Sequence, residues 1–304
     1  LRLLPFRQVL RQTRGAARLL AMMTAAPDRD VLVDTLRRES RRVVTMVRRA
    51  ERLNAAVPGL AWTAGQLAGH LCVVYRAFAG TVRGEPFGPE FESAIGDGDT
   101  LPEVLAATNA RMVEEVNFDK PSDAAYALAA GASELADALS ASPDLEVARP
   151  APWYGPGVTR YVATLGAIGV SETLVHGRDL ALALGGDPRV PDAAAVFAAP
   201  TVMSEMLPLL VDPEATRGLT ATFELRIRGG RSFVLHMSDG AARSAPAPST
   251  ERQVDCVISL SAGAALLIGF NRMSVWRALT TGQVISYGRR PWLGLRFRSL
   301  FLNP

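Results

Sequence analysis

The sequence predicts a helical bundle followed by a smaller α+β domain, and two observations predict it. Up to about residue 210, apolar residues recur at helical spacing in long segments separated by Pro- and Gly-rich breaks. After Pro213 the period becomes two, with short strand-like runs bounded by turns. The division expected is a basic tail at 1–26, a helical bundle at 27–212 and an α+β domain at 213–304.

The tail carries Arg2, Arg7, Arg11, Arg14 and Arg18, so it has no clean apolar centre like that of a signal peptide. That spacing suits a loose terminus or a basic amphipathic helix at a membrane surface. Asp28 and Asp30 follow Pro27 and offer caps for a helix running to about residue 53, with Val31, Leu36, Val43, Val44 and Val47 among its apolar positions. Val57 to Trp62 reads as a turn, and Thr63 caps the next helix, which reaches Arg83 and carries His70. Residues 87–100 are rich in Gly, Pro and acids and read as a loop. A third helical region from Leu101 is interrupted at Lys120-Pro121-Ser122-Asp123, where proline and capping residues coincide, and resumes to Ser140. Residues 143–157 read as a second long loop, whose Trp153 and Tyr154 are placed to overlie the mouth of a site. A helix at 158–184 stops at Gly185-Gly186, and another at 192–210 ends this half.

Beyond Pro213, Phe223, Leu225 and Ile227 alternate with Glu224, Arg226 and Arg228, and Phe233, Leu235 and Met237 resume the apolar face. A loop of Gly229-Gly230-Arg231 aligns the two apolar sets and sets Glu224 opposite His236, which makes His236 a structural residue of the polar face. Residues 254–261 and 284–287 read as further strands, 262–270 and 273–279 as short helices, and 292–302 as a final helix.

The chain of 304 residues is 48% apolar and 21% charged, with a net charge of only +3, which makes no case for nucleic acid. Its basic residues are arginines except for Lys120. Two cysteines, Cys72 and Cys256, cannot make a disulfide framework; as buried apolar residues they fit a reducing cytoplasm. No uninterrupted apolar run reaches the roughly 18–20 residues of a membrane span. Walker, G-x-G-x-x-G, G-x-S-x-G and C-x-x-C motifs are all absent from the sequence.

The chemistry concentrates in Ser171-Glu172-Thr173-Leu174-Val175-His176-Gly177-Arg178-Asp179. Glu172 and His176, four residues apart on a helix, leave the same face and can share one divalent cation. Of the three histidines, His70 lies on another apolar helix and is the natural third ligand. Imidazole and carboxylate suit zinc, and three protein ligands leave a fourth position open, as in catalytic sites. Cys72 points to the far side of the helix from His70. Asp179 is either the partner that orients the His176 ring or a surface acid. A Glu-x-x-x-His pair also arises by chance as a simple intrahelical contact, so the motif alone does not establish a metal.

The segments Trp62-Thr63-Ala64-Gly65-Gln66-Leu67-Ala68-Gly69-His70-Leu71 and Glu172 to Ala181 resemble the mycothiol-dependent maleylpyruvate isomerase family of actinobacteria. The resemblance spans roughly residues 30–210. It implies a DinB-like four-helix bundle whose metal ligands are His70, Glu172 and His176, with mycothiol as thiol cosubstrate. Arg178 departs from the family pattern, in which many members carry an aromatic residue between the glycine and the aspartate. The segment Leu279 to Gly288 and the hairpin before it resemble, more weakly, the SCP2-like domain that often accompanies such bundles. The implied activity is that of a cytoplasmic, zinc-dependent thiol transferase or isomerase acting on a small-molecule electrophile, with no nucleic acid and no transmembrane segment. The competing expectation is a non-catalytic binding or regulatory protein with an apolar-ligand site in the SCP2-like domain.

Overall fold

The computed structural model describes residues 28–86, 95–96, 98–155, 157–247 and 253–302. The expected tail at 1–26 and most of the loop expected at 87–100 lie outside the described residues.

Helix α1 (Arg29–Arg49) begins where Asp28 accepts the Asp30 amide; it buries Leu32, Leu36, Val43 and Val47 and turns most of its arginines outward. Helix α2 (Ala64–Arg83) starts at a full capping box: the Thr63 side chain accepts the Gln66 amide while the Gln66 side chain accepts the Thr63 amide. Helix α3 (Leu101–Glu115) and helix α4 (Pro121–Ala141) are separated at the expected break, with Pro121 opening α4. Helix α5 (Val162–Leu184) is stopped by left-handed Gly185 at φ +74°. Helix α6 is Asp192–Met206 and continues as a 3-10 turn at Leu207–Leu210. Helices α1, α4, α2 and α5 pack around one core in that cyclic order, while α3 lies against α2. Asp192–Leu210 is long and apolar enough to cross a membrane by length and composition alone. Here its Ala194, Ala195, Ala198 and Ala199 are inside the core.

This half is not purely helical. A small hairpin of β1 (Ala148–Pro150) and β2 (Thr159–Tyr161) lies between α4 and α5, where the sequence suggests a loop and the start of a helix. Both strands are three residues long and outward-facing at each end, so neither shows an apolar alternation that could be read.

The C-terminal half carries a five-stranded sheet in the order β5-β4-β3-β6-β7, comprising β3 (Thr220–Ile227), β4 (Ser232–Ser238), β5 (Ala241–Pro246), β6 (Cys256–Leu260) and β7 (Val284–Tyr287). Strands β3 and β6 run parallel, and the other pairs are antiparallel. Short helices α7 (Ala262–Gly269), α8 (Val275–Thr280) and α9 (Leu293–Arg296) complete it. The expected final helix breaks after α9 into a 3-10 turn, and Phe301 then pairs with Val211.

The β3–β4 hairpin keeps the expected apolar faces but not the expected pairing. Ser232 lies opposite Arg226, so Thr222, not Glu224, faces His236. The turn closes one residue earlier on each strand, through the bond from the Gly230 amide to the Ile227 carbonyl. A shift of two in the pairing preserves the period-two faces, which is why the apolar pattern could not detect it. His236 is buried, with Nδ1 3.2 Å from Thr222 Oγ1, instead of lying on a polar face beside a carboxylate. The apolar face of this sheet and the helical half share one continuous core.

Candidate metal centre

Helix α5 is buried along most of its length and carries Glu172, His176 and Asp179 on consecutive turns. Close approach of α1 helps to fix it, for a Cβ on Gly177 would stand 2.8 Å from a methyl of Val43. Helix α2 brings His70 across. Glu172 Oε2 lies 2.9 Å from His176 Nε2 and 3.5 Å from His70 Nε2. One ligand atom from each of His70, Glu172 and His176 falls within 4.8 Å of the others. The edge of a tetrahedron built on zinc bonds of about 2.0–2.1 Å is about 3.3 Å, so the spacing suits one small cation. The imidazoles meet edge to face at 5.0 Å between centroids, and Trp62 lies 5.2 Å from the His70 ring.

The donor chemistry points the same way. Glu172 Oε2 is buried and has no well-aligned hydrogen bond, although His176 Nε2 is close. Buried polar atoms without a partner are rare in folded proteins. Here the atom and both Nε2 atoms converge on a common point, a geometry that fits a shared cation. Burial pushes the Glu172 carboxyl up, but His176 and His70 together hold it well below the usual carboxylate range. Burial likewise lowers His70. For His176 burial is outweighed by Glu172 and Asp179, and the ring is raised to about 9.

Asp179 is fully buried behind His176, with Oδ2 3.5 Å from His176 Nδ1. It is not a surface acid. Arg178 contacts its other oxygen at 3.0 Å, and Arg272 of the C-terminal half donates to Oδ2 at 2.9 Å. Burial raises the Asp179 carboxyl, and His176 with Arg272 lowers it further than burial raises it. Arg272 stands outside every motif of the sequence. Its place is set at the end of α7, where Asn271 takes φ +56° and the Arg272 amide bonds back to the Leu267 carbonyl. An Asn just after a short apolar helix is the readable sign of such a stop, but nothing in the sequence ties the next residue to Asp179.

A cavity of about 480 Å³ opens onto the three residues. Trp153 and Tyr154 line it as the sequence suggests, beside Trp62 from the turn before α2 and Asn109 from α3. Cys72, two residues from His70, is buried, and burial pushes its thiol up to about 12. At neutral pH this thiol is protonated and not a nucleophile.

Residues 33–181 match a family described as the mycothiol maleylpyruvate isomerase N-terminal domain. This part of the chain belongs to that family. Its match holds all three residues of the cluster, with His70 on α2 and Glu172 and His176 on α5. Among solved structures, the mycothiol-dependent maleylpyruvate isomerase is similar at a TM-score of 0.44 and 13% identity, over 85% of this chain and 92% of that one. A mutant of that isomerase gives 0.47 and 12% over the same shares. A UbiJ-SCP2 ubiquinone synthesis protein gives 0.26 and 16%, over 33% of this chain and 87% of that one. No curated protein matches the chain.

Proposed function

We propose that His70, Glu172 and His176 hold one zinc or similar divalent ion, and that the chain is a mycothiol-dependent isomerase or transferase of small electrophiles. The observation that carries this reading is the buried, unbonded Glu172 oxygen between two imidazoles, within a stretch that matches the isomerase family. When bound, the ion would supply the charge that favours the thiolate form of a small thiol. The chain's own residues do the rest. Asp179, with Oδ2 3.5 Å from Nδ1, backs the His176 ring as a charge partner and would keep Nε2 toward the cluster. Trp62, Trp153 and Tyr154 keep water away from one side of the cavity. The buried, protonated Cys72 offers no internal nucleophile, in keeping with a thiol brought by a cosubstrate. Addition of that thiol to a double bond followed by its loss would isomerise the substrate; addition without loss would transfer it.

In the same reading the helical half is a DinB-like four-helix bundle with its boundary near residue 212, the C-terminal half is SCP2-like, and the protein works in the cytoplasm. The decisive experiment is metal analysis of the purified protein beside His176→Ala. About one zinc per chain, lost in the variant, is expected for a three-ligand site. Failure of the wild type to take up zinc supplied in excess would overturn the enzyme reading.

A further inference from the structure

The cavity does not end at the metal cluster. It runs from His70, Glu172 and His176 into the junction with the C-terminal half, whose α7 and final 3-10 turn form its far wall. The lining there combines Met203, Met206 and Leu210 of the helical half with Leu266, Phe270 and Phe301 of the C-terminal half. We propose that this cavity binds a molecule with an uncharged apolar body, which lies across the junction and presents its reactive end to the cluster. The proposal rests on the thiol reading for the reaction but not for the binding.

Three observations carry it. The volume, about 480 Å³, falls within the range of small-molecule sites and far exceeds a packing defect. A space of this size walled by apolar groups gains little from water, which needs polar partners, so an apolar occupant is favoured. Two methionines, Met203 and Met206, give the wall the adaptable surface that suits chains of varied shape.

The charged groups on the lining are few and occupied. Arg272 is matched by Asp179 at 2.9 Å, and Arg298 donates to the Phe301 carbonyl at 2.9 Å. A compact dianion would leave the long apolar wall without a partner. The substrate class that satisfies both ends is an electrophilic alkene or carbonyl compound on an alkyl or aromatic body. With an α,β-unsaturated aldehyde, the thiol sulfur bonds to the β-carbon. The π pair of the double bond moves to the α-carbon, which takes the proton the thiol releases.

The test is displacement of an uncharged fluorescent probe, phenylnaphthylamine, from the zinc-loaded full-length chain by the n-alkanols from butanol to decanol. Affinity is expected to rise roughly fourfold per methylene, the ratio that follows from burying one such group, until the cavity is full. Met206→Trp, which fills the wall, should reduce the affinity of the long members by about tenfold while sparing butanol. Phe270→Ala should extend the rise to longer chains, and it serves as the second variant if Met206→Trp does not fold. The same rise in His70→Ala would place the apolar body away from the cluster, as proposed. Affinities independent of chain length, or unmoved by both wall variants, would overturn the proposal. A parallel assay follows mycothiol consumption with short and long α,β-unsaturated aldehydes. Equal turnover at every length would leave the thiol reading standing and sink this one. Length-dependent alkanol binding without any thiol consumption would do the reverse.

Discussion

Asp179 has no solvent exposure, yet its carboxylate serves His176, Arg178 and Arg272 at once. Removing one partner of a buried ion pair strands the others, at a cost of about 3–5 kcal/mol. Asp179→Ala is therefore expected to lower stability by about that amount in a denaturant titration. Asp179→Asn keeps the shape but loses the charge, and should weaken zinc binding about 10–100-fold through the loosened His176 ring. A zinc affinity unchanged in Asp179→Asn would mean that the ring needs no support from behind. The proton inventory of the centre gives a second test. In the metal-free protein His176 is raised from 6.5 to about 9. A group raised in this way contributes stability that is complete below pH 6.5 and disappears as pH rises through about 9. His70 is lowered and thus already neutral at pH 7. A cation needs the neutral rings, so at neutral pH its binding should release about one proton, from His176. Calorimetry in buffers of different ionisation enthalpy counts that proton, and a count of zero would mean that His176 is already neutral.

The element that places His70 is α2, and its first turn is held from two sides. The Thr63–Gln66 capping box closes its open end, so Thr63→Ala should lower stability by about 1 kcal/mol. The same turn runs against the backbone that follows α3 at Gly65, where a Cβ would stand 2.1 Å from the Phe118 carbonyl oxygen. The next turn does so at Gly69, where a Cβ would stand 1.9 Å from the Val116 carbonyl oxygen. Backbone cannot step aside as a side chain can. Gly69→Ala is expected to lose about 3 kcal/mol or more, the upper end of overpacking, and to displace His70. A melting temperature equal to wild type would show that this approach is not tight. The cap is legible in the sequence, because Thr and Gln three residues apart before an apolar run have one favoured use. The contact at Gly69 is not, since no local pattern reports which backbone will lie across a helix. Strands divide in the same way. The apolar faces of β3 and β4 are legible, but their pairing is not, because a shift of two leaves every face unchanged. The turn Asp239-Gly240 is a recognised hairpin signal. Its two residues take φ +41° and +84° between Ser238 and Ala241, and β5 goes unread beside it. The composition of β5, Ala-Ala-Arg-Ser-Ala-Pro, has no β-branched or aromatic residue to mark a strand.

At the scale of the whole molecule, the two halves are distinct in texture but not in packing. The change of period at Pro213 shows in the sequence as a change of element type, yet the apolar core runs through from helices to sheet. The connection at Val211 pairs with Phe301, and the Leu302 amide bonds to the Leu210 carbonyl, so the chain's last described residues close over the junction. Arg272 then reaches from the C-terminal half to Asp179, 93 residues earlier in sequence. Such a joint cannot be read from local patterns, because each participant is an ordinary residue until the fold brings them together. Its consequence is cooperative. Losing the C-terminal half would uncover the apolar cavity wall and leave Asp179 short of a cation, so neither half is expected to persist as the other unfolds. Thermal unfolding followed by circular dichroism in the helical band and, in a Trp62→Phe, Trp153→Phe background, by fluorescence of Trp276 and Trp292 in the C-terminal half should therefore coincide in one transition. A double-mutant cycle with Asp179→Ala and Arg272→Ala should give a coupling of about 2–3 kcal/mol, at the upper end for groups in direct contact. Two separated transitions together with additive mutants would show that the halves merely touch. A single transition with strong coupling would mean that the C-terminal half supports the metal centre through Asp179, and that a change more than ninety residues away in sequence, at Arg272, alters zinc affinity.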